Sequence, residues 1–100
     1  MTPHDIDLAL SALCGWEPAC RGAVHALDTV AAARTTVIKD PAARVKFSNA
    51  LRTIIGKRES IPKNKLGQPL VSDYDMLDST AAEQVEAILR AFGKWQEAGT

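Results

Sequence analysis

Four times along this chain, a residue that caps helices stands just before the signals that open one. Thr2 precedes Pro3 with Asp5 at the third helical position, and Asp40 precedes Pro41. Ser72 is followed three residues later by Asp75, and Thr80 by Glu83. A cap oxygen accepts amide protons that the first turn leaves unpaired, and proline costs little where the N–H has no partner. Behind these starts the apolar residues recur at helical spacing rather than in alternation. Leu70-Val71 is too short to make a strand. A chain punctuated in this way folds into helices.

The first helix carries Ile6, Ala9, Leu10 and Leu13 on one face and ends at Gly15. After Trp16-Glu17-Pro18, a second helix is expected from about residue 18 to 38. Its stripe is Cys20, Val24, Leu27, Ala31 and Ile38, with Val30 beside it, and Gly22 and Thr35-Thr36-Val37-Ile38 weaken its ends. The third helix aligns Ala43, Phe47, Ala50, Leu51 and Ile54 and stops at Gly56. Residues 57–71 hold Pro62, Pro69, Gly67 and four basic side chains, and read as a long extended loop of the kind that often carries function. A short helical turn follows over Asp73 to Leu77. The last helix starts near Ser79-Thr80, with Val85, Ile88, Leu89, Phe92 and Trp95 or Gln96 as its stripe and Gly93 loosening its final turns.

The expected fold is therefore all-α: a compact bundle of four main helices plus a short helical turn, with one long basic loop, in a single domain over residues 1–100. Sixteen alanines against 5% aromatics suit helices that approach closely. A hydrophobic fraction of 46% argues against disorder. No apolar run reaches the roughly 18 residues a membrane span needs, so no membrane partner is expected. Met1-Thr2-Pro3-His4-Asp5 has neither the basic nor the apolar part of a secretory leader. The expected compartment is the cytoplasm, with Cys14 and Cys20 reduced.

Charge excludes some partners and suggests others. Twelve basic and twelve acidic residues cancel, which excludes a histone-like protein and a globally acidic DNA mimic. The cancellation hides a segregation: residues 1–33 sum to −3, residues 34–65 to +7 and residues 66–100 to −4. In a bundle this can mean only that an acidic helix lies beside a basic one. The sharper reading is a pair of recognition patches. The acidic one is Asp73, Tyr74, Asp75, Asp78, Glu83 and Glu86, and the basic one is Arg44, Lys46, Arg52, Lys57, Arg58, Lys63 and Lys65. The basic patch would serve phosphate contacts, although Pro62 falls where a helix-turn-helix recognition helix should run.

Catalytic and metal chemistry find less support. His4, Cys14, Cys20 and His25 lack the spacing of a zinc site and read better as packed side chains. Cys20 near a helix start with His25 nearby has no orienting third group or oxyanion loop. Asp73, Asp75 and Asp78 lack the glycine and closing glutamate of a calcium loop. No cofactor, metal or enzymatic activity is expected. Trp16 and Trp95 read as edges of the core, whereas Tyr74, between two aspartates, is the aromatic best placed to touch a partner.

Two segments carry a family resemblance. Residues 5–16 (Asp5-Ile6-Asp7-Leu8-Ala9-Leu10-Ser11-Ala12-Leu13-Cys14-Gly15-Trp16) resemble the opening of small phage and prophage proteins, and residues 80–95, from Thr80-Ala81-Ala82-Glu83 to Gly93-Lys94-Trp95, resemble their closing helix. The chain is similar in this way to anti-CRISPR proteins, those acting on type I-F systems in particular. The resemblance implies a non-enzymatic inhibitor in the cytoplasm of a bacterial host that binds Cas proteins of a type I surveillance complex and blocks their access to target DNA. The chain departs from the acidic mimics of that group by being neutral, which leaves local mimicry by the Asp73 to Glu86 cluster. A small DNA-binding phage regulator using the basic 44–65 segment, or a phage assembly adaptor, are the alternatives, and the protein would be a monomer or a homodimer.

Overall fold

The computed structural model describes residues 2–16 and 27–95. Among them are five helices: α1 (Pro3–Cys14), α2 (Leu27–Val37), α3 (Pro41–Ile55), α4 (Asp73–Leu77) and α5 (Ala81–Ala91). The described residues form no strand, only an isolated bridge between Lys63 and Pro69, so their fold is all-α. No helix among them is long and apolar enough to cross a membrane.

The helices begin where the caps place them. Thr2 Oγ1 accepts from the Asp5 N–H at 3.2 Å while the Asp5 carboxylate accepts from the Thr2 N–H at 3.3 Å. The Asp40 carboxylate accepts from the Ala43 N–H at 2.7 Å. Reciprocal boxes also join Ser72 to Asp75 and Thr80 to Glu83. The side-chain and backbone hydrogen bonds from Thr2 hold the Asp5 carboxyl below its ordinary range, as those from Ser72 do for Asp75.

α5 is the helix around which the others pack. Ala81, Val85, Ile88 and Leu89 join Ile6 and Leu10 of α1 and Val30 and Ala33 of α2 in one apolar cluster. Ala87, on another side of α5, joins Leu51 and Ile55 of α3 and Ile61 of the following loop in a second. Phe47 packs against both. The α3–α5 contact is the most extensive between helices, and the small Ala87 side chain in it lets the two axes approach. Fully burying side chains such as Val85, Ile88 and Leu89 contributes about 1.5–3 kcal/mol each.

Three expectations shift. In α2 the inward face runs through Val30, Ala33 and Val37, while Ala31 is exposed and Leu27 is 58% exposed. Three successive alanines offer no size contrast, so Val30 and its contact with the α1–α5 cluster fix the rotation. Cys20, Gly22, Val24 and His25, and the start expected near residue 18, lie outside the described residues, as does Gln96. Next, α5 stops at Ala91, because Gly93 takes a left-handed conformation (φ 69°) that brings the Lys94 N–H onto the Leu89 carbonyl at 2.7 Å. Trp95 therefore lies beyond the helix, packed against the first cluster with the Arg90 guanidinium 5.3 Å from its ring centre.

The third shift concerns residues 57–71, which fold back on themselves rather than extending. The Leu70 N–H donates to the Pro62 carbonyl at 2.8 Å and the Asn64 N–H to the Gln68 carbonyl at 2.9 Å. Asn64 Oδ1 accepts from the Leu66 and Gln68 N–H groups at 2.9 and 3.0 Å. Ile61 and Val71 anchor the two ends in the second cluster. Gly56 makes this return possible: a Cβ there would lie 2.7 Å from Pro69 Cγ.

Candidate protein-binding face

The residues of the acidic patch fall into two environments. Asp73 and Tyr74 at the start of α4 and Asp78 just past its end are exposed, Tyr74 by 79%. Asp75 turns its carboxylate back to the Ser72 N–H and hydroxyl, each at 2.9 Å, and so holds the helix start. The two glutamates lie on α5, and both are neutralised within the molecule. Arg58 Nε donates to Glu83 Oε2 at 2.8 Å, and its Nη2 donates to Glu83 Oε1. Arg90 Nε donates to Glu86 Oε2 at 2.8 Å.

Partial burial pushes the Glu83 carboxyl up, but the hydrogen bonds from Arg58 and Thr80 outweigh it and leave its pKa lowered. The same bond to Glu83 raises the Arg58 pKa. This ion pair fastens the loop of residues 57–71 to the start of α5. The outward acidic surface is thus Asp73 and Asp78, with Tyr74 between them.

Leu77 completes that surface and was missed from the sequence. It is 84% exposed and stands three residues after Tyr74, so both side chains lie on one side of the α4 turn. Met76 alone of its neighbours turns inward, onto the second cluster. The readable signal was the pair of large apolar residues at helical spacing in Tyr74-Asp75-Met76-Leu77. Few side chains expose as much apolar surface; Leu66, at the tip of the folded loop, is another at 82%.

The basic patch is divided. Arg52 donates to the Val71 carbonyl at 2.8 Å and lies 3.9 Å from Asp73, so it holds the chain leading into α4. Arg58 is spent on Glu83. Lys63 and Lys65 are exposed on the folded loop, and Lys57 is exposed just past the end of α3. Arg44 and Lys46 are exposed on α3, but their two-residue separation turns them roughly 200° apart around it. Arg52–Asp73 and Arg58–Glu83 make the segregated charges, in part, neighbours within the fold.

His4 is exposed and Cys14 half-buried against the first cluster, and no three potential metal ligands come together among the described residues. Trp16, like Trp95, packs at the edge of that cluster. What the fold and surface define is a small helical protein that presents one acid-flanked apolar helix turn. No family model, curated protein or solved structure matches the chain.

Proposed function

We propose that this protein is a non-enzymatic inhibitor that works by binding, and that its target is a type I CRISPR–Cas surveillance complex, whose access to target DNA it blocks. The observation that carries the reading is the α4 turn, where Tyr74 and Leu77 stand exposed between the Asp73 and Asp78 carboxylates. An aromatic–aliphatic pair supplies a desolvating anchor, and flanking carboxylates suit a protein channel whose cations otherwise hold phosphates. Because the net charge is zero, attraction to such a channel is local and depends on this face.

In this reading the chain is a compact bundle of four main helices that displays α4 and the neighbouring basic loop. It is phage- or prophage-encoded, acts in the bacterial cytoplasm and uses no cofactor. The test is binding of a type I-F surveillance complex to labelled target duplex with and without the protein. The expected result is loss of duplex binding, relieved at least tenfold by combining Asp73→Lys with Tyr74→Ala while the helical circular-dichroism spectrum is kept. Undiminished inhibition by that variant would remove α4 from the contact. A shift of bare duplex by the protein alone would instead favour a DNA-binding regulator using Arg44, Lys46, Lys57, Lys63 and Lys65.

A further inference from the structure

An open groove of about 620 Å³ lies between the end of α2 and the start of α3. Ala31, Ile38 and Phe47 give it an apolar lining, and Arg34, Lys39 and Arg44 supply its charges. None of these three cations forms an ion pair within the described residues. The nearby Asp40 carboxylate is occupied by the Ala43 N–H. With Asp40 offsetting only part of their charge, these three cations leave the groove net positive around an apolar lining among the described residues, and its size is that of a site for a few side chains rather than a folded partner.

The same chain carries the complementary surface. Tyr74 and Leu77 project from α4 with Asp73 and Asp78 at their sides. Leu77 would bury apolar surface against Ile38 and Phe47 while the carboxylates meet Arg34, Lys39 and Arg44. We infer that the α2–α3 groove receives the α4 turn of a second copy of this chain, forming a reciprocal dimer. The two surfaces are arranged along α3. Arg44 and Phe47 line the groove, and Arg52, which holds Asp73 and the Val71 carbonyl, lies roughly 8–12 Å further along the helix. Two α3 helices running antiparallel across a twofold axis bring each α4 to the other's groove, so that a single kind of contact is made twice and closes. One such contact is small for a stable interface; two make a weak, salt-sensitive dimer.

This contact does not rest on the proposed target, and purified full-length protein tests it. Sedimentation velocity across a concentration series should show monomer converting to dimer at low ionic strength, with at least a tenfold weaker dimer at high salt. Arg44→Glu and Leu77→Lys, both at exposed positions, should each leave only monomer with an unchanged circular-dichroism spectrum. A wild-type protein that stays monomeric to millimolar concentration overturns the inference. So does a dimer indifferent to both substitutions. Binding of a fluorescent single-stranded oligonucleotide that Arg44→Glu abolishes, with no self-association, would give the groove to nucleic acid and also overturn it. Arg44→Glu leaves α4 untouched, so inhibition of a surveillance complex should survive it, and the two readings fail separately.

Discussion

Glu83 stands in the first turn of α5, where one carboxylate accepts from the Thr80 N–H at 2.9 Å and from both arms of the Arg58 fork. Its lowered pKa means that the folded state holds the proton less tightly than the unfolded chain does. The associated stability is therefore complete above the ordinary carboxylate range. It is lost as pH falls through that range toward the lowered folded value. Asp5 and Asp75 act in the same direction from their capping positions. Glu83→Gln keeps the shape and removes the charge. Urea unfolding near neutral pH should show a loss of roughly 1–2 kcal/mol, a partly exposed charged pair being worth less than a buried one. The gap between neutral and acidic stability should narrow in the same variant, since the group that titrates is gone. An unchanged pH profile would assign the acid sensitivity to other carboxylates.

At the scale of the element, α4 depends on its ends. Five residues are too few to hold a helix by propensity, so α4 rests on the Ser72–Asp75 box and on Met76 packed into the second cluster. Ser72→Ala should cost about 1 kcal/mol and raise amide exchange across Asp73–Leu77 while α5 stays protected. Frayed exchange confined to α4, together with weaker binding by that face, is the expected pair of results; uniform exchange would mean that the turn is held by packing alone. Such helix starts were legible in the sequence because a cap acts within three residues, as Thr2, Asp40, Ser72 and Thr80 all show. The rotation of α2 was not legible, since Ala31, Ala32 and Ala33 are interchangeable until a neighbour selects one. The split of the acidic patch was equally hidden, because Arg58 and Glu83 meet across 25 residues of sequence. Nothing local marks Ile61, in a loop with two prolines nearby, as a core residue.

On the scale of the whole molecule, both apolar clusters are built on α5. Ile88 and Leu89 belong to the cluster with α1 and α2, and Ala87 to the one with α3 and the folded loop. Adjacent residues of one helix thus serve separate clusters, and Phe47 touches both. Loss of either cluster removes the support on one side of α5, so neither should survive the other. Ile55→Ala tests this from the second cluster, where Ile55 is fully buried, and should cost about 2–5 kcal/mol. Trp16 and Trp95 both pack against the first cluster and report on it by fluorescence. If α5 couples the two, the variant lowers the tryptophan transition as much as the helical circular-dichroism transition, and the curves still coincide. A tryptophan transition left in place while the helical signal falls earlier would mean that α1, α2 and α5 form a unit that stands without α3. The α4 face, whose Met76 packs in the second cluster, would then be able to loosen from a folded remainder.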